Sequence, residues 1–270
     1  MRLRRITFLV LLTGLLVLTA GCGGTDQNTT LNQPAADNDN TANDSMDDST
    51  TDDGMEAMAI SGDLVLDPAV IALDDIASQI VSGYIYDSLV TLDNDGFIAP
   101  GLALSYEISD HGLEYEFTLR TNAVFSDGTQ VTADVILDNF NRWFDPEHPL
   151  HGADSSAYAA WLENFKGFRG ELDANDKPIS IFDGIEKVDD LTVLVHLNQP
   201  MDDFLKVIAQ PFFSILNPGV LEAGYGMMDS GIDGSGAYML KEWTADGLTL
   251  APNSDFWGEV PADALHFVFE

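Results

Sequence analysis

His148 and His151 lie three residues apart beside Glu147, and no other imidazoles in the chain are so close to each other. An imidazole–carboxylate group of this kind could ligate a transition metal. Pro146 and Pro149 interrupt the segment, however, and it reads as a surface loop. The remaining histidines, His111, His196 and His266, are isolated. Adjacent acids at Asp74-Asp75 and Asp189-Asp190 could in principle divide acid and base roles. With 45 acidic residues in 270, such pairs are expected by chance. There is no Gly-x-Ser-x-Gly elbow, Cys-x-x-Cys, His-Glu-x-x-His or phosphate loop. The spacing Gly231-Ile-Asp-Gly234-Ser-Gly236 is not a dinucleotide fingerprint. The expectation is a protein that is not an enzyme, with no cofactor and no metal.

What remains is binding chemistry. Gly234-Ser235-Gly236 allows positive φ and close backbone approach, either to a neighbouring segment or to a bound chain. The net charge of −34 repels nucleic acid and anionic membrane surfaces. No Lys or Arg occurs between Arg5 and Arg120. The acidity reads first as a solvated, salt-adapted surface, with recruitment of a cationic ligand as the sharper alternative.

The elements that would position these residues follow from periodicity. Arg2, Arg4 and Arg5 precede an apolar run from Ile6 to Leu18, the pattern of a signal segment over 1–22. Leu18-Thr19-Ala20-Gly21-Cys22 reads as a lipobox, with Thr19 where Leu is usual and Cys22 as the lipidated residue. Cys22 is the only cysteine, which rules out a disulfide within the chain. Residues 23–57 carry nine acids, no bases and no aromatic residue, and are expected to form a disordered acidic tether.

Leu64 to Leu66 is a strand candidate closed by Asp67-Pro68. Apolar residues from Ile76 to Leu89 recur at three and four, predicting a helix from Asp74 or Asp75 to Leu89. Asp93 to Gly96 predicts a turn. Leu113 to Leu119 alternates as a half-buried strand, Ser126-Asp127-Gly128 turns, and Thr132 caps a helix carrying Val135, Ile136, Asn139, Phe140 and Trp143. Tyr158, Trp161, Leu162 and Phe165 are expected to pack in a core. Ile185–Asp190 and Leu191–Leu197 read as strands, Asp203–Ala209 as a short helix, and Leu265–Glu270 as a strand with an exposed, aggregation-prone edge near Phe267.

The composite Leu119-Arg120, Phe125-Ser126-Asp127-Gly128-Thr129, Val131-Thr132-Ala133-Asp134-Val135 and Arg142 resembles the signature of the extracytoplasmic solute-binding proteins of family 5. These are the oligopeptide, dipeptide and nickel receptors of ABC importers. Leu66-Asp67-Pro68, Ile85 to Val90, Asp95 to Ala103, Val188-Asp189-Asp190, Asn217-Pro218, Gly234 to Tyr238 and Asn253 to Trp257 match the same family in order. Tyr106 stands where the family usually has Trp. The resemblance covers Leu64 to Glu270, the N-terminal half of a member, so a truncated chain lacking the C-terminal lobe is expected.

The resemblance implies an α/β fold of the periplasmic-binding-protein type, class II, cluster C, with mixed-sheet lobes. Lobe I would take 58–87 and 212–270, and a smaller inserted lobe 88–211. It implies capture of an oligopeptide or related small solute, delivery to ABC permease subunits, and a lipid anchor on the outer side of a bacterial membrane. Ligand contacts would come from Ala72, Leu73 and Asp74 and from Ser235 and Gly236, with Asp74 alternatively a helix cap. A surface chaperone or solute sensor on the same fold, a non-binding fragment, and an unrecognised hydrolase are the other readings.

Overall fold

A computed structural model of the protein describes residues 4–6, 57–221 and 232–270. Cys22, the expected tether up to Glu56, and the expected signal segment apart from Arg4–Ile6 lie outside the described residues. Strands β1 (Arg4–Ile6), β2 (Met58–Ile60), β3 (Val90–Leu92), β4 (Ile98–Pro100), β5 (Ala103–Ile108), β6 (Glu114–Leu119), β7 (Phe182–Asp189), β8 (Thr192–Leu197), β9 (Tyr238–Trp243), β10 (Gly247–Pro252) and β11 (Leu265–Phe269) form three sheets. A five-stranded antiparallel sheet has the order β1-β5-β6-β8-β7. A four-stranded mixed sheet has the order β2-β11-β10-β9, and β3 and β4 form a hairpin.

Helices α1 (Ile76–Ile85), α2 (Ala133–Phe144), α3 (Ala159–Phe165), α4 (Phe204–Ile208) and α5 (Pro218–Leu221) connect them. The alternation in β6 faces Tyr115, Phe117 and Leu119 inward against Val193 and Val195 of β8. Helix α2 closes this core with Ile136, Phe140 and Trp143. Tyr158, Trp161 and Phe165 pack into the same core, where Trp161, Phe165, Phe182 and Phe213 form edge-on aromatic contacts. Such contacts add to simple area burial.

A second core is built by Leu64, Leu66, Val81, Ile85, Tyr86 and Leu216 against Leu248, Leu250 and Phe267 of the four-stranded sheet. Residues of the first core come mainly from 88–211, joined by Ala69, Ile71, Phe212, Phe213 and Ile215.

Two charged or polar side chains tie these layers together. Arg142 of α2 is 3% exposed and pairs with Asp67, while its Nε donates to the Leu150 carbonyl at 2.9 Å. Burial works against the Arg142 charge, but the Asp67 carboxylate holds the guanidinium protonated and raises its pKa overall. Asn139, also on α2 and buried, clasps residue 216 through both of its amide atoms. Its Nδ2 donates to the Leu216 carbonyl at 2.8 Å and its Oδ1 accepts from the Leu216 N–H at 3.0 Å.

Several expectations are corrected. Leu64 to Leu66 is not a strand: the Val65 N–H donates to the Ser78 hydroxyl at 2.8 Å instead of to a sheet. Helix α1 stops at Ile85, four residues before Leu89, which is buried outside the helix. Thr132 occupies the cap position of α2, but its hydroxyl makes no capping bond. The strand near Phe267 is not an edge. β11 is flanked by β10 and, in parallel, by β2, which leaves Phe267 2% exposed.

Candidate functional site

The loop after Asp67-Pro68 leads from a short 3-10 turn, Pro68–Val70, into α1. Asp67 starts that turn by accepting from the Ala69 N–H at 3.2 Å. Ala72, Leu73 and Asp74 then emerge at the surface, all three exposed. Asp75, not Asp74, caps α1, accepting from the Ser78 N–H at 3.0 Å. The capping role is therefore filled by its neighbour, and Asp74 lines a cavity of about 560 Å³. Asp63 and Asp75 line it as well, together with the apolar Ile60, Ile76 and Ile80.

Helix α1 is apolar on two sides. Val81 and Ile85 face the second core, together with buried Ser78 and Ser82. Ile76 and Ile80 face outward, 58% and 37% exposed, next to Leu73 at 47%. With Gln79, Gly83, Tyr84 and Pro211 they line a shallow groove of about 430 Å³. Single exposed apolar residues mean little, whereas a contiguous apolar wall beside a polar rim is the form of a binding surface.

Ser235 and Gly236 lie elsewhere. The glycine turn packs under the C-terminal end of α1, and residues 234–236 are buried. The Gly236 N–H donates to the Ile85 carbonyl at 2.9 Å. A Cβ on Gly234 would come within 2.0 Å of the Ile85 oxygen, and one on Gly236 within 2.6 Å of the Tyr84 oxygen. The backbone approach that glycine permits is thus made to α1 itself. Ten residues of helix, about 15 Å, separate this turn from the Ala72–Asp74 loop. The two halves of the sequence-predicted site are at opposite ends of one helix.

The Ser126-Asp127-Gly128 turn meets the same region. The Ser126 hydroxyl donates to Asp233 at 2.6 Å, and the Ser126 N–H to the Gly234 carbonyl at 3.0 Å. Asn217 Nδ2 donates to both Asp127 (3.0 Å) and Asp233 (2.7 Å). Burial raises the Asp127 pKa, but bonds from Thr129 and Asn217 more than offset it, and its carboxyl ionises below the usual range. These signature residues therefore join segments to one another.

A further polar cluster was not singled out from the sequence. A cavity of about 340 Å³ is lined by Gly83, Tyr86, Asp87, Ser88, Ser214 and Trp257 among others. The Trp257 indole donates to Asp87 Oδ2 at 2.8 Å. The Arg120 guanidinium lies 3.7 Å over the Trp257 ring, and its Nε donates to the Gly101 carbonyl at 2.5 Å. Burial pushes the Asp87 carboxyl up to about 6, against the opposing pull of Trp257, Ser235 and Arg120. Burial likewise lowers Arg120, which Asp87 partly restores. All three residues fall in family-like motifs, but 170 residues separate Asp87 from Trp257, and no local spacing announces the pairing.

The mixed α/β fold is of the periplasmic-binding-protein type, which it shares with solved structures. The sequence profile of the bacterial extracellular solute-binding proteins, family 5 Middle, matches residues 98–269, and the chain belongs to that family. It is 33% identical over 183 residues to Di/tripeptide-binding protein 4 of Pseudomonas aeruginosa (strain UCBPP-PA14), covering 63% of this chain and 32% of the relative. It is 31% identical over 197 residues to the periplasmic oligopeptide-binding protein OppA of Escherichia coli (strain K12), covering 71% of this chain and 34% of the relative. Among solved structures, the periplasmic binding protein DppA of Helicobacter pylori in complex with the peptide STSA superposes with a TM-score of 0.67 at 26% identity. That match covers 80% of this chain and 43% of the other. The chain spans about a third of the length of the curated relatives it matches.

Proposed function

We propose that this chain serves in an extracytoplasmic substrate-binding component of an ABC importer, taking oligopeptides or a related small solute. The observation that carries the reading is family membership over 98–269, together with relatives and a solved structure that bind di-, tri- or oligopeptides. Residues 58–87 and 212–270 act as lobe I, and 88–211 as the inserted lobe. The exposed loop Ala72–Asp74 and the outward wall of α1 form the ligand side of lobe I. Asp74 offers a carboxylate to a cationic group of the ligand. Ser235 and Gly236 support this wall from behind, through α1. Peptide backbone hydrogen bonds give affinity with little choice of side chain, the strand-addition mode, and closure over the ligand shifts the population of open and closed forms. Cys22 carries the lipid that holds the chain outside the cell, where it delivers solute to permease subunits without chemical turnover.

Calorimetric titration with a pool of di- to hexapeptides, applied to the chain and to any longer product of its gene, tests the reading. Saturable heat with peptides, weakened in Asp74→Ala, is the expected result. Binding of sugars or nickel chelates but not peptides would overturn the peptide assignment, and cleavage of the peptides would overturn the transport reading.

A further inference from the structure

Strand β2 ends the four-stranded sheet. Among the described residues it pairs with β11 alone, in parallel. In a parallel ladder, alternate residues turn both of their backbone groups toward the neighbouring strand. The Ile60 carbonyl accepts from the Glu270 N–H at 3.1 Å, so Met58 and Ile60 are the residues that face β11. Ala59, between them, turns its N–H and C=O away from the sheet. A row of backbone groups left open in this way is a template for another strand.

The edge opens on the cavity of about 560 Å³, which Ala59 lines together with Ile76 and Ile80 of α1. Ile60 packs in the second core with Val81 and Ile85, so α1 covers the face of β2 on which Ile60 sits. Ile76 and Ile80, exposed on the same helix, bring apolar surface up to the open edge. Asp63, Asp74 and Asp75 line the same cavity, and among its described lining residues there is no Lys or Arg. An open backbone edge, an apolar wall and three carboxylates therefore meet in one place.

We propose that β2 and α1 form a groove for an extended peptide with apolar and basic side chains, which joins the sheet as a further strand beside β2. This rests on the receptor reading above, and it names the place and the chemical class of the ligand. The peptide backbone bonds to Ala59, and its apolar side chains pack on Ile76 and Ile80. Its Lys or Arg side chains meet Asp63 and Asp74. Asp75 is partly committed, since its Oδ1 accepts from the Ser78 N–H. Successive side chains of a strand point to opposite faces, so every second ligand residue meets the helix. Backbone pairing tolerates many sequences, and the carboxylates disfavour acidic ones.

The test is calorimetric titration of the full chain with the tetrapeptides Leu-Lys-Leu-Lys, Leu-Gln-Leu-Gln and Leu-Glu-Leu-Glu, whose affinities are expected to fall in that order. The double variant Asp63→Asn/Asp74→Asn should weaken the lysine peptide about fivefold and leave the glutamine peptide unchanged. A lysine preference that survives in it comes from the overall charge and overturns the role of these carboxylates. Ala59→Pro removes the outward N–H and spares the ladder to β11, a position where an edge strand tolerates proline. It should weaken the lysine and glutamine peptides about tenfold. Undiminished binding in Ala59→Pro overturns the groove and leaves the receptor reading standing, whereas no heat with any peptide in the wild type overturns both. A dimer that Ala59→Pro dissociates, seen by sedimentation, would assign the edge to a second copy and overturn the groove. Should Ala59→Pro fail to fold, hydrogen exchange at the Ala59 amide of the wild-type chain decides. Slowing on saturation with Leu-Lys-Leu-Lys supports the groove, and unchanged exchange overturns it.

Discussion

Arg142 shows how a motif position can be structural. Its guanidinium lies in the protein interior, with Asp67 as its counter-charge, and the two residues come from signature segments 75 positions apart. Removing one member leaves the other charge buried and uncompensated, at a cost of about 3 kcal/mol or more. Asp67→Ala is therefore expected to lower the unfolding free energy, read from a urea titration, by that amount. The double variant Asp67→Ala/Arg142→Met should recover part of the loss, since a packed apolar replacement no longer buries a charge. A single variant within 1 kcal/mol of wild type would show that the pair contributes little. The glycine turn makes the same point: Gly236 is close to α1 backbone, not to open space, and its small size serves packing.

At the scale of elements, α1 separates cap from contact. Asp75→Ala removes the cap and should cost about 1 kcal/mol in thermal or urea unfolding. Asp74→Ala should leave stability within about 0.5 kcal/mol and act only on ligand affinity. Equal losses in both variants would mean that Asp74 also stabilises the helix. Local period made much of this architecture legible in the sequence. Tyr115, Phe117 and Leu119 alternate, and Ile136, Phe140 and Trp143 recur at helical spacing, because each element buries one face. The misreadings came where a distant group decided the outcome. Val65 gave its N–H to the Ser78 hydroxyl, so an apolar triplet with strand composition stayed outside any sheet. Leu89 kept the helical spacing of α1 yet lies past its end, buried in the first core. The Asp87–Trp257–Arg120 cluster depends on segments far apart in sequence, which period cannot bring together.

For the molecule as a whole, the dominant quantity is charge. A formal net charge of −34 in 270 residues repels itself, while Arg142, Lys187 and Arg169 are among the cations that make local pairs in the described residues. Screening shortens the reach of that repulsion to about 3 Å at 1 M salt, from about 10 Å at 0.1 M. The melting temperature is therefore expected to rise by several degrees between 0.1 and 1 M sodium chloride, as scanning calorimetry would register. A flat or falling profile would mean that self-repulsion is not what limits the fold.

The parallel seam between β2 and β11 also sets a timetable. Met58 pairs with Phe267 and Ile60 with Phe269, so the first strand of the four-stranded sheet waits until residues 267–269 are made. By contrast, β5, β6, β7 and β8 find their neighbours within residues 103–197. Long loops close slowly, and non-local pairing slows folding. As the chain emerges from a ribosome or a translocation channel, these four strands can assemble while Met58–Ile60 is still an unpaired edge. A chain ended at residue 260 should keep exchange protection in β6 and β8 and lose it in β10. Until residues 267–269 are made, then, this protein exposes a strand whose partner does not yet exist, and that interval is when a holding chaperone would find something to hold.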